Sequence, residues 1–548
     1  MIGIDLKKII SILGVVAVVA PFFISPEPAS AYINSANSPA DVVIGQADMT
    51  SDLQNRDGSD NAYSNTLATP MGMATDGTKL IVSEFNNNRV LIFNTVPTSV
   101  NASADVVIGQ ADMTSNDANR GGAVADNTLN RPTDVHYDGN KLYICDSLNS
   151  RILIYNSIPT SNNASADIVV GQANMTSGDK DQGVVQPTAA ANGFDWPRSV
   201  HSDGTKLYVA DPGNHRVVIF NTIPTANDAS ANVVIGQPNL TSYNQNQNLG
   251  SAAANTLSQT YGVNTAGTKL IIADYGNYRV LIYNTIPTAN DTSADVVIGQ
   301  PDMDSNDANQ GGLAGANTLF VPHGTYTDGT RLWIDDQGNN RVLLFNSIPT
   351  TSNASADAVI GQQSMTVGLA DQGGTVAVNT IQSSRGILMI GSKLIVADSG
   401  NRRLLVYDVS PGITVSDTPG IGPISINSAA ASTNSRSITL TFNADGAKEM
   451  KISNDPNFLG ASWETYARTK VWDLSSGNSV KTVYVQFRDY ANYESARYSD
   501  DIELPTLAGT GSSVAIFLTI ASLLLAAGVS LMMLGKTRTI STRRNFPS

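Results

Sequence analysis

Lys206–Phe220 reads KLYVADPGNHRVVIF. An apolar run ends in an acid at Asp211, a tight turn of Pro, Gly and Asn follows, and a second β-branched run begins after Arg216. Apolar runs on either side of such turn residues predict a β-hairpin. The phrase recurs as KLIVSEFNNNRVLIF from Lys79, KLYICDSLNSRILIY from Lys141, KLIIADYGNYRVLIY from Lys269, RLWIDDQGNNRVLLF from Arg331 and KLIVADSGNRRLLVY from Lys393. Outward from the hairpin lie an upstream segment such as WPRSVHSDG and a downstream run, ADVVIGQ or a close variant. The latter carries its Asp or Asn at Asp41, Asp105, Asp167, Asn232, Asp295 and Asp357, at intervals of 62 to 65 residues. Four short strands per period, repeated six times, predict an all-β array of units that bury their apolar faces on one another, enough to close a ring of propeller type.

The order of phrases predicts how the ring closes. The chain enters the repeats with an ADVVIGQ strand and leaves after Tyr407 without one. The strand at Asp41–Ile44 is therefore expected beside Leu404–Tyr407, where it removes two exposed edges and is needed for stability.

The acid-x-x-Asn-x-Arg core resembles the NHL repeat, in Glu84-Asn87-Arg89, Asp146-Asn149-Arg151, Asp211-Asn214-Arg216, Asp274-Asn277-Arg279, Asp336-Asn339-Arg341 and Asp398-Asn401-Arg403. The resemblance covers roughly residues 41 to 410 and implies a six-bladed β-propeller. Groups present in every blade cannot define one asymmetric site, so these read as structural: acid and Asn satisfy turn amides and Arg bridges to backbone or a neighbouring blade. The departure from the family is a polar insertion before each next blade, such as ADMTSNDANRGGAVADNTLN after Gln110. Its Asn116-Asp117-Ala118-Asn119 and Asn306-Asp307-Ala308-Asn309 stretches read as Asx-turn chemistry in surface loops expected to crowd one face, with cation binding as the competing reading.

Composition and ends point to export. Lys plus Arg number 33 against 47 acidic residues, a net charge of −14, which argues against a nucleic-acid partner. The single cysteine, Cys145, occupies a strand position that is Ala in other repeats and reads as a small buried residue. Residues 1–31 resemble a signal peptide: Lys7 and Lys8 precede an apolar stretch, and Ala29-Ser30-Ala31 suits cleavage. Val514–Leu534 is uncharged and, as a helix, spans roughly 31 Å, enough to cross a bilayer. The basic tail 535–548 places the tail in the cytoplasm and the repeats outside. Within the linker 504–513, LPTLAGTG resembles a sortase sorting signal, with a plain stop-transfer helix as the alternative. Either gives a membrane- or wall-anchored surface protein.

The propeller is expected over 32–410, a linker over 411–420, and a small antiparallel β-sandwich resembling immunoglobulin or fibronectin-III modules over 421–503. Trp463 and Trp472 are expected in its core, with a sugar-stacking face as the competing reading.

Function then rests on asymmetry among the innermost strands. One ring of positions reads Met71, Thr133, Arg198, Tyr261, His323 and Arg385, and the next Gly72, Asp134, Ser199, Gly262, Gly324 and Gly386. Arg198, Tyr261, His323, Arg385 and Asp134 are the candidate ligand residues of a channel mouth, suited to an anionic group on a protein or envelope glycan. The competing expectation is that both arginines pair with carboxylates and plug the channel. Propellers similar to NHL proteins include metal-dependent lyases and lactonases, so a hydrolase or lyase with a channel metal is the alternative function. A metal needs several converging ligands. His136 and His201 share one strand position, His323 falls three residues earlier and thus on the opposite strand face, and His215 lies in a hairpin turn. No catalytic residue, metal or cofactor is expected on that count.

Overall fold

The computed structural model describes residues 37–184, 188–408, 414–415, 422–445, 447–489 and 494–505. The expected signal peptide, most of the linker and sorting motif, the membrane span and the basic tail lie outside them. Among the described residues no helix is long and apolar enough to cross a membrane. The chain forms two compact units, Met1–Ser410 and Pro411–Ser548.

The first unit is all-β and propeller-like. Five four-stranded antiparallel sheets take their strands in chain order, for example Ser199–Ser202, Leu207–Asp211, Arg216–Phe220 and Val233–Ile235. The sixth combines both ends of the repeat region: Val42–Ile44 lies against Arg403–Asp408, with Val42 opposite Val406 and Ile44 opposite Leu404. The innermost strand of each sheet packs on those of its neighbours, and Gly386–Ile390 of the sixth meets Pro70–Ala74 of the first, so the cycle is closed. Each apolar cluster spans two sheets, one joining Tyr143 and Ile152 of the second to Val209 and Val218 of the third. Burial between repeats, rather than within one, is what couples them.

The repeated polar residues are the other adhesive. Asp146 Oδ1 accepts the amide of Asn130 at 2.7 Å, and Oδ2 accepts from Asn149 at 2.8 Å and Arg151 Nε at 2.7 Å. Arg151, fully buried, donates onward to the carbonyls of Met175, Ala125 and Thr128 at 2.6, 2.8 and 3.0 Å. Those acceptors lie in the insertions after and before its own sheet, so one guanidinium ties two insertions to one hairpin. Arg89, Arg216, Arg279, Arg341 and Arg403 make the corresponding bonds. Asn119 of an insertion and Asn149 of the hairpin exchange amide bonds at 3.1 and 2.8 Å. Gln110, from the ADVVIGQ phrase, donates to the carbonyls of Asn88 and Asp117. The insertions are thus part of the buried polar network, and their Asp112-type residues close local turns onto Thr114 and Ser115.

The second unit places Ile424–Ile426, Ser437–Phe442 and Thr469–Asp473 in one antiparallel sheet and Glu464–Thr465, Ala447–Ser453, Ser479–Asp489 and Tyr498–Leu504 in another. One core, including Leu440, Phe442, Ile452, Val485 and Ile502, draws on both. Trp472 packs partly on that core and donates its Nε1–H to Asn454. Trp463 is half-buried and lies outside that core, with Lys451 and Arg488 4.5 and 4.6 Å from its ring centroid.

Candidate functional site

The innermost strands bring the non-repeating residues together. Asp134, Ser199, Gly262 and Gly386 lie opposite Cys145, Ala210, Ala273 and Ala397 of their second strands, so they occupy equivalent levels of the channel. One step earlier come Thr133, Arg198, Tyr261 and Arg385. All five candidate residues, Asp134, Arg198, Tyr261, His323 and Arg385, line one cavity of about 300 Å³. His136 and His201 line it as well. His136 and His201 lie 4.4 Å apart between ring centroids, whereas His323 meets Tyr261 rather than either of them.

The arginines are not plugged by carboxylates. Among the described residues the ion pairs involve neither Arg198 nor Arg385, and the Nε of each is buried without a hydrogen-bond partner. Arg198 is held instead by aromatic faces, its guanidinium carbon 5.0 Å from the ring centroids of Trp196 and Tyr261 and 5.7 Å from that of Phe85. Such contacts place a cation without neutralising it. Tyr261 stacks on Tyr275 at 4.0 Å and meets the edge of His323 at 5.2 Å. Burial, reinforced by Arg385 and Arg198, pushes His323 well below the usual histidine range, so its imidazole is neutral. Burial and then the charge of Arg198 hold Arg385 below the usual arginine value.

Burial also raises the acids nearby. Burial raises Asp134 to about 7, although its oxygens accept the amides of Val135 at 2.9 Å and Val200 at 3.1 Å. Asp335, absent from the two rings read from the sequence, is fully buried and raised by burial to about 8, with the Ser384 hydroxyl and Arg385 pulling the other way. Neither oxygen of Asp335 nor the Ser384 hydroxyl reaches a partner in good hydrogen-bond geometry. A Cβ added to Gly324 would lie 3.7 Å from Asp335 Oδ2, so the bare glycine is what separates this carboxyl from the channel. Its signal in the sequence is that it stands where the other hairpins carry Ser83, Cys145, Ala210, Ala273 and Ala397. Trp196 and Tyr275 were also missed. Trp196 is 42% exposed beside Arg198, in a left-handed backbone conformation (φ 67°) that Arg131, Gln259, Val321 and Ser383 share at neighbouring sheets.

The histidines are engaged with the wall: His136 Nε2 lies 2.9 Å from the Ser202 carbonyl and His201 Nε2 2.8 Å from the Thr265 hydroxyl. His215 sits in its hairpin turn and accepts the Gln259 amide through Nδ1. Among the described residues no group of three or more His, Cys, Asp or Glu is placed to hold a metal ion. Cys145 is buried, its thiol directed to the Pro197 carbonyl at 2.9 Å and raised by burial well above the usual range. What the site offers is two guanidiniums with unpartnered Nε atoms beside aromatic rings and acids raised by burial, an arrangement that attracts an anion.

No family model and no curated protein matches the chain. Solved structures of distant sequence do. A nidogen/laminin complex is 13% identical with a TM-score of 0.29, over 51% of this chain and 76% of that one. An aldose sugar dehydrogenase from Streptomyces coelicolor in its PQQ-bound form is 11% identical with a TM-score of 0.33, over 63% and 95%. The extracellular domain of a protein described as a hybrid two component system from B. thetaiotaomicron is 9% identical with a TM-score of 0.32; the match takes in 81% of this chain but only 57% of that longer one. At such scores the architecture rests on this chain's own sheets and the site on its own residues.

Proposed function

We propose that this chain is an exported, membrane- or wall-anchored surface protein that binds a protein or envelope glycan through the channel mouth of a six-bladed NHL-type propeller. The second unit, of immunoglobulin or fibronectin-III type, holds the propeller away from the cell. The sixfold acid-Asn-Arg hairpin supports the repeat assignment, and the apolar spans at both ends with the basic tail support the location. The observation that carries binding is the pair Arg198 and Arg385, placed in one cavity with their Nε atoms unpartnered. A buried donor without an acceptor costs about 1–3 kcal/mol, more when charged, and a ligand that supplies the acceptor recovers that cost. The test is retention of the full-length chain, in detergent, on isolated cell-envelope material. The wild type is retained and the Arg198→Gln/Arg385→Gln double variant is not; equal retention of the two overturns the reading. Protease digestion of intact cells removes both units if the location is right and spares them if it is wrong.

A further inference from the structure

The geometry points to an acidic sugar as the ligand of this mouth, its ring on Trp196 and its anionic group on Arg198 and Arg385; this rests on the binding reading above. Trp196 is 42% exposed, and Arg198, which lines the cavity, sits over its ring with the guanidinium carbon 5.0 Å from the centroid, so the guanidinium takes one part of the indole and leaves exposed indole surface next to it. Indole surfaces take the C–H faces of sugars, and a planar guanidinium takes a carboxylate through two parallel hydrogen bonds. Arg385, with its own free Nε, supplies the second fork from the sixth sheet.

The remaining walls are polar. Thr133, Ser199 and Asn264 line the cavity while bonding to Pro197, Val263 and Thr325 of the wall, and Gly262 and Gly324 bring backbone to it without side chains. About 300 Å³ is at the small end of ligand pockets, room for one sugar rather than a folded epitope. No ion pair among the described residues closes on either arginine: Asp335 is buried with both oxygens unpartnered, Asp134 accepts the amides of Val135 and Val200, and His323 is neutral. An anion entering here meets two cations in a site shielded from water, where their attraction is least screened.

The experiment is calorimetric titration of the full-length chain in detergent with galacturonate tetramer, the neutral galactose tetramer and inorganic phosphate. The uronate tetramer binds; the neutral tetramer and phosphate alone bind at least tenfold more weakly. Arg198→Gln and Arg385→Gln each weaken uronate binding by roughly ten- to hundredfold, as expected for one lost charge-assisted pair. Trp196→Ala weakens it about tenfold, and the melting temperature of each variant shows that it is folded. Equal affinity for the neutral tetramer, phosphate binding without uronate binding, or variants that bind uronate like the wild type overturn the inference. Retention on envelope material that depends on the arginines, with no uronate binding, sinks this inference alone; loss of both sinks the binding reading too.

Discussion

Arg151→Met removes one guanidinium from the interior of the second sheet and leaves its partners in place. The lost bonds run from Nε to Asp146 and from the two terminal nitrogens to the carbonyls of Met175, Ala125 and Thr128. Asp146 keeps the amides of Asn130 and Asn149 but becomes a buried carboxylate without a cation, both side chains being fully buried in the wild type. Breaking one side of such a pair costs about 3–5 kcal/mol, against a total stability of roughly 5–15 kcal/mol. At about 2–4 °C per kcal/mol, the melting temperature falls by roughly 10 °C. The loss also depends on pH. Burial already raises Asp146 in the folded state, and Arg151 is the largest force opposing that rise. Without it the folded-state value rises further above the unfolded one, so the folded variant holds a proton that the unfolded chain gives up. The deficit is therefore smallest at acid pH, where Asp146 is protonated in both folded proteins, and grows as the pH rises above the raised wild-type value. Adding Asp146→Asn recovers part of the loss, because the amide still accepts from Asn130 and carries no charge. Urea unfolding of the full-length chain at acid and neutral pH measures all three effects. A deficit under about 1 kcal/mol, or one that does not change with pH, would refute the claim that this repeated residue holds the insertions.

Asp335→Asn is expected to match the wild type in stability near pH 4 and exceed it at pH 8, since the wild-type carboxyl, raised to about 8, contributes stability that is lost as the pH climbs to that value; parallel pH curves in thermal melts would contradict this. Gly386→Ala should lower stability by more than about 2 kcal/mol, because the new Cβ would sit 2.2 Å from the Met71 carbonyl where the sixth and first sheets meet; an unchanged melting temperature would mean that seam is loose. Deleting residues 37–46 strips the outer strand from the sixth sheet, with the bonds from Ala40 to Val378 and from Asp41 to Val406, and should leave a chain that aggregates and exposes dye-binding apolar surface. Elemental analysis of protein purified without chelator should find zinc and calcium far below one equivalent; a full equivalent of either would revive a metal-dependent hydrolase or lyase.

Much of the architecture was legible because it is written six times. Each hairpin declares its turn between the acid and the arginine, and the unmatched ADVVIGQ run at the start, set against Leu404–Tyr407 lacking one, identifies the closing pair that the sixth sheet forms. Counting from each inner strand also reached Arg198, Tyr261, His323, Arg385 and Asp134. Two things were hidden. Asp335 sits next to the repeated Asp336 and reads as one more turn acid; only comparison with Ala273 and Ala397 at the same level exposes it as the odd member. The pairing state of the arginines was hidden for a different reason, because a guanidinium caged by Phe85, Trp196 and Tyr261 depends on distances between sheets.

The central claim is that Arg198 and Arg385 form an uncompensated cationic mouth that captures an anionic ligand. Its most direct test is retention of full-length wild type and of the Arg198→Gln/Arg385→Gln variant on envelope material across a salt series. Wild-type retention that weakens with salt and is abolished in a variant of unchanged melting temperature is the predicted result; salt-independent retention shared by both proteins would contradict it.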